Sequence, residues 1–112
     1  WDGSAWLETE ITSAGVGLYT PEIFYAGGIC FDAHDSNKIY LSKPVGEYRE
    51  IQLWRTFDIG SSWVKAKDVT SGSVSTNARP YSPRKYHPKM RVLWWQGSYT
   101  TFVNYNTAIK GA

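Results

Sequence analysis

Short apolar and aromatic runs, each cut off after a few positions by glycine, proline or a polar cluster, constrain this chain more than any other feature. No stretch keeps apolar residues at helical spacing, which leaves strands as the element these runs can form. The pattern predicts strands over Leu7–Ile11, Gly28–Asp32, Lys38–Ser42, Glu50–Thr56, Ser62–Val69, Arg79–Tyr81, Arg91–Gln96 and Tyr99–Asn104. Polar turns join them at Ala33-His34-Asp35-Ser36-Asn37, Asp58-Ile59-Gly60 and Gln96-Gly97-Ser98. The expected fold is all-β and antiparallel.

Several of these strands are apolar on both faces. In Arg91-Val92-Leu93-Trp94-Trp95, Val92 and Trp94 point one way while Leu93 and Trp95 point the other. Ile29-Cys30-Phe31 and Ile39-Tyr40-Leu41 behave alike. A sheet with one wet face alternates more cleanly, so these strands suit a sheet stacked between two others. Aromatic residues make up 16% of the 112 positions, enough to supply broad packing faces and also platforms for sugar rings.

Charge excludes some functions. The 12 basic and 10 acidic residues form no block of one sign, so nothing marks a nucleic-acid or anionic-membrane surface. No apolar run approaches a membrane span, and no signal peptide is present. The chain begins at Trp1 and its single methionine is Met90, so it reads as a piece of a longer chain. Cys30 is the sole cysteine and sits in an apolar run, as a buried, inert thiol does. His34 and His87 lie in polar turns without a metal-ligand spacing, so neither a metal nor a cofactor is expected.

The segment Thr56-Phe57-Asp58-Ile59-Gly60-Ser61-Ser62-Trp63 carries the pattern Ser/Thr-x-Asp-x-Gly-x-Ser/Thr-Trp. Asp58 at a hairpin tip can accept hydrogen bonds from the turn's own backbone. Gly60 supplies a positive φ, Thr56 and Ser62 tie the strand ends, and Trp63 is placed to pack on a neighbouring sheet. All five residues speak for structure.

This segment resembles an Asp box. The order of features from about Tyr25 to Ala112 is similar to the C-terminal part of the BNR-repeat propellers related to ulvan lyases and rhamnose-releasing enzymes. The matching stretches are Tyr25-Ala26-Gly27-Gly28, Phe31-Asp32, Lys38-Ile39-Tyr40-Leu41-Ser42, Asn77-Ala78-Arg79-Pro80 and Leu93-Trp94-Trp95-Gln96-Gly97-Ser98-Tyr99. Gln96 stands where that family usually has arginine. The resemblance implies four-stranded antiparallel blades over residues 1–112, somewhat more than two of them, as part of a secreted or periplasmic β-propeller. Its implied partner is an acidic or rhamnose-containing polysaccharide, cleaved by β-elimination or glycoside hydrolysis, or bound without cleavage. A structural or protein-interaction propeller is the remaining alternative. Further blades would come from the same chain or from other copies.

Four residues are candidates for contact with such a glycan. Arg79, on an innermost strand, can grip a uronate carboxylate with its planar fork, or it can pair with a buried acid. Tyr25, before Gly27-Gly28, can stack on a sugar, move a proton, or cap the core. Tyr99 and Tyr105 are weaker versions of the same case. No catalytic residue is assigned.

Overall fold

The computed structural model describes residues 3–18, 25–101 and 103–112. Seven strands form in chain order: β1 (Ile29–Asp32), β2 (Asp35–Val45), β3 (Tyr48–Arg55), β4 (Val64–Asp68), β5 (Thr76–Tyr81), β6 (Leu93–Thr101) and β7 (Asn104–Gly111). The first four make one antiparallel sheet and the last three another, each ordered as the chain runs. No helix occurs among the described residues.

Tight turns set the registers. Asp32 pairs with Asp35 across Ala33-His34, and the Asp32 carboxylate accepts the His34 N–H at 2.9 Å. Val45 pairs with Tyr48 across Gly46-Glu47, where Gly46 takes φ 67°. Pro44 lies inside β2 without cost to the ladder. The partner strand β1 reaches only as far as Leu41, so no bond is forfeited on that side.

The two sheets share one core. Tyr40 and Ile51 from the first sheet pack with Val92 and Trp94 from the second, flanked by Cys30, Leu53 and Val69. Each such side chain withdrawn from water contributes about 1.5–3 kcal/mol. Ile39, Tyr40 and Leu41 are all buried, as their two-sided pattern predicts. β1 differs: Ile29 and Phe31 are exposed on either side of the half-buried Cys30. Burial pushes the Cys30 thiol up to about 11, which suppresses the reactive thiolate.

At the centre of this core lies a polar side chain, Asn77, 0% exposed. Its amide nitrogen lies 2.9 Å from Arg49 O, 2.9 Å from Ser73 Oγ and 3.2 Å from Glu50 Oε2. Its Oδ1 accepts from Trp94 Nε1 at 2.8 Å and Gln96 Nε2 at 3.1 Å. Its backbone carbonyl accepts the Ser42 hydroxyl at 2.7 Å. One residue thereby joins β2, β3, β5 and β6. The neighbouring Glu50 carboxylate is satisfied by neutral donors: the N–H and hydroxyl of Ser73 and the hydroxyl of Thr70.

Three sequence expectations are corrected. Leu7–Ile11 forms no strand, and Leu7 is exposed. The nearby chain is held by side chains instead: Arg49 Nη2 donates to Ala14 O at 3.1 Å and to Val16 O, and Lys43 Nζ donates to the Thr12 hydroxyl. Gln96-Gly97-Ser98 is not a turn but the middle of β6, and the chain reverses after Thr101. Gly97 is there for close approach, since a Cβ on it would sit 2.0 Å from the Asn106 carbonyl oxygen. Asp35, Ser36 and Asn37, assigned to a turn, lie in β2.

Asn77→Ala should lower stability by about 3 kcal/mol, because it strands the Trp94 and Gln96 donors in a dry core. Urea denaturation measures this. An unchanged midpoint would show that the node is not what couples the sheets.

Candidate functional site

Arg79 occupies a distorted point of β5. The register with β6 shifts between Ala78 and Tyr81, and Arg79 takes φ 54°, a left-handed backbone that side-chain-bearing residues avoid. The cause is local. Its N–H donates to Gly27 O at 2.5 Å, and Gly28 lies against it, where a Cβ would come within 3.1 Å of the Arg79 Cα. The Gly27-Gly28 pair thus lets the chain after Tyr25 close on β5.

That approach brings Tyr25 and Arg79 together. The guanidinium carbon lies 4.6 Å from the Tyr25 ring centroid and 5.2 Å from that of Trp95. Contacts of this kind contribute about 0.5–1 kcal/mol each at exposed positions. Trp95 in turn stacks on Tyr105, with centroids 6.2 Å apart and planes inclined by 19°. An opening of about 200 Å³ beside them is lined by Arg79, Tyr81, Leu93, Trp94, Trp95 and Ile109. Arg79 is exposed, and no carboxylate pairs with it among the described residues. The arrangement can offer a planar cation beside flat apolar rings. No lining residue is a carboxylate or a histidine.

Tyr99 belongs to β6 opposite Tyr105, but its side chain lies outside the described residues. Trp95 is the partner that single-residue reasoning passed over, whereas Tyr105 was named only as a weaker candidate. The alternation in Arg91–Trp95 did place Trp95 on the face opposite Trp94, but only the β6–β7 pairing brings Tyr105 beside it.

The Thr56–Trp63 segment closes the β3–β4 hairpin. Asp58 Oδ1 accepts the Thr56 hydroxyl at 2.7 Å and the Ser62 N–H at 2.8 Å, and Oδ2 accepts the Ser62 hydroxyl at 2.6 Å. Thr56 Oγ1 accepts the Gly60 N–H at 2.9 Å, and Trp63 is half-buried. Gly60 takes φ 88° and Ile59 takes φ 56°, with a 3.3 Å bond from Ser61 N to Asp58 O, as in a type I′ turn. The positive φ therefore falls on two residues, not on Gly60 alone. The Ser62 hydroxyl, the Ser62 N–H and the Thr56 hydroxyl together pull the Asp58 carboxyl down to about 2.

His34 anchors the loop after β5. Its Nε2 donates to Arg84 O at 2.8 Å, and its ring stacks on Tyr86 at 4.1 Å. Tyr86 and Tyr40 hydroxyls both donate to the buried Asp32 carboxylate at 3.0 Å. His87 lies in a short surface reversal, bridged to Met90. No cluster of three potential metal ligands exists among the described residues, and no helix there is long and apolar enough to cross a membrane.

Compared with known proteins, the chain matches no family model, no curated protein and no solved structure at a significant level.

Two predictions concern the turn. Ile59 is 99% exposed, so replacing it loses no packing, whereas its left-handed backbone is costly for a β-branched side chain. Ile59→Asn should raise stability by about 1 kcal/mol, and Gly60→Val should lower it. Calorimetry on both variants checks this, and equal melting temperatures would contradict the turn geometry. The depressed carboxyl makes Asp58 stabilising above the unfolded value of roughly 4, and that stabilisation is lost as pH falls toward about 2. Asp58→Asn should therefore show a shallower loss of melting temperature across that acid window than the parent chain.

Proposed function

We propose that this chain is part of a β-propeller that recognises an acidic polysaccharide, with Arg79 as the residue that grips a uronate carboxylate. The observation that carries the reading is the state of Arg79. It is exposed, held at φ 54°, faced by two aromatic rings, and paired with no carboxylate among the described residues. Backbone strain of this kind survives only where surrounding structure enforces it, and it concentrates at binding sites. A bidentate fork beside sugar-stacking rings suits a pyranose that bears a carboxylate.

The propeller reading is supported by the strand order. Two antiparallel meanders begin at Ile29 and Thr76, a spacing that fits the roughly 40–50 residues of a four-stranded blade. Strand β5 packs across β3, β2 and β1 of the first sheet, while β4 and all but one position of β7 are exposed, as outer strands are. The side chains left open on β1, Ile29 and Phe31, suit burial by a further sheet, from the same chain or another copy. Such a protein belongs among secreted or periplasmic ones.

Cleavage by β-elimination or glycoside hydrolysis needs a proton acceptor or donor at the sugar. The opening beside Arg79 is lined by neither carboxylate nor imidazole, which leaves two phenols near the guanidinium, Tyr81 on the wall and Tyr25 against the Arg79 side chain. Binding is thus the part of the reading that these residues carry, and the acid and base of any cleavage belong elsewhere in the whole protein. Tyr99 remains a further candidate contact.

Arg79→Gly separates site from scaffold, because glycine relieves the left-handed strain while removing the fork. Titration with oligogalacturonate should show binding lost in Arg79→Gly and weakened about tenfold in Arg79→Lys, with melting temperatures unchanged or raised. If Arg79→Gly unfolds the chain, or binds as the parent does, Arg79 is a structural residue.

A further inference from the structure

We propose that Arg49 is a positioning residue for the Tyr25–Arg79 pair: by holding the chain on both sides of Tyr25, it fixes the ring against the guanidinium. Its effect on binding rests on the reading of Arg79 as a uronate contact, whereas the placement of the ring does not. The chain before Tyr25 is held by backbone groups. Ala14, Gly15 and Val16 are exposed, Val16 by 82%, so apolar burial does not hold this stretch. Arg49 Nη2 instead donates to the carbonyls of Ala14 and Val16. Two residues further on, Leu18 N donates to Tyr25 O at 2.7 Å. Leu18 also lines a small crevice with Ala78 and Trp95, so the stretch ends at the aromatic site itself.

The chain after Tyr25 meets the same guanidinium. A Cβ on Gly27 would lie 2.6 Å from Arg49 Nη1 and 2.4 Å from Ser42 Oγ, so the backbone approaches this closely only as glycine. Arg49 Nη1 donates to Ser42 O at 3.0 Å, and Ser42 N donates to Gly28 O at 3.0 Å. Gly27 O in turn accepts the Arg79 N–H at 2.5 Å. One buried side chain is therefore common to the approach at residues 14–18 and to the return at residues 27–28. Tyr25 lies between them, its ring centroid 4.6 Å from the Arg79 guanidinium carbon.

The electrostatics make this hold firm. No carboxylate pairs with Arg49 among the described residues, and burial lowers its proton affinity. The carbonyls of Ser42, Ala14 and Val16 stand in place of an acid. A buried cation keeps such acceptors close, because losing one leaves its charge dry and unmet. The planar fork also suits the task, since its two terminal nitrogens serve acceptors on different sides, Nη1 on β2 and Nη2 on residues 14–16.

The test reads the ring directly. In heteronuclear NMR the Arg79 Nε–H senses the ring current of Tyr25, and Tyr25→Leu gives the signal without it. Two variants loosen the chain from opposite sides. Arg49→Met removes the donors and keeps an apolar stem. Gly15→Ala leaves Arg49 in place but puts a Cβ 2.4 Å from Pro44 Cγ, at a φ of 69° that disfavours a side chain. Gly60→Val is the control, since it destabilises a turn outside this segment. In Arg49→Met and Gly15→Ala the Arg79 signal should move toward its Tyr25→Leu position, and oligogalacturonate binding should weaken about fivefold. In Gly60→Val both should match the parent. Should Arg49→Met show no melting transition, Gly15→Ala decides alone. An Arg79 signal unmoved in Gly15→Ala, or moved equally in Gly60→Val, overturns the proposal. Parent-level binding in a variant whose signal has moved overturns the link from ring placement to ligand. If the parent itself binds no oligogalacturonate while the signal follows the segment, the uronate reading falls and the positioning role stands.

Discussion

The Asn77 side chain is the interaction on which the rest of the structure depends. A primary amide fully removed from water must spend both donors and its acceptor on protein groups, and here those groups lie on β3, β6 and the Ser73 turn. Apolar contacts between Tyr40, Ile51, Val92 and Trp94 supply attraction between the sheets, but such contacts tolerate sliding. The amide does not. It fixes which residue of β5 faces which residue of β3, and so fixes where the next two positions, Ala78 and Arg79, emerge. The position of the exposed guanidinium is in this sense set by a buried carboxamide two residues away.

How much of this was legible in the sequence varies by element. Strands β1 to β3 were readable because each contains an apolar run, whereas β4, Val-Lys-Ala-Lys-Asp and exposed throughout, carries none and only falls inside the expected Ser62–Val69 strand. The Asp58 turn was readable because side-chain oxygens at fixed spacing dictate its bonds. The β6–β7 hairpin was misread at Gly97. Glycine signals either a turn or a close backbone approach, and only the partner strand, with the Asn106 carbonyl against it, decides between them. Leu7–Ile11 alternates like a strand but pairs with none of the sheet edges, a fact that no local pattern contains. In the candidate site, Arg79 and Tyr25 stood out by residue type and neighbours. Their contact did not, since it depends on a left-handed residue that is neither glycine nor asparagine.

Arg79 spreads its charge over the aromatic faces of Tyr25 and Trp95, which lowers the cost of drying the guanidinium against a flat surface.

Arg49 carries a consequence of a different kind. Its buried guanidinium, with its proton affinity lowered by that burial, donates to Ser42 O and, across a gap, to the carbonyls of Ala14 and Val16. A single side chain thus does for residues 14–16 what a neighbouring strand does for its partner through several amides. Such an attachment has little redundancy. Thermal opening of this segment would be an event distinct from sheet unfolding, and each opening would leave a cation in a half-dry niche with fewer carbonyls than it needs. The strap therefore holds firmly while its carbonyls stay on Arg49 and gives way once they leave it, more like a latch than a spring.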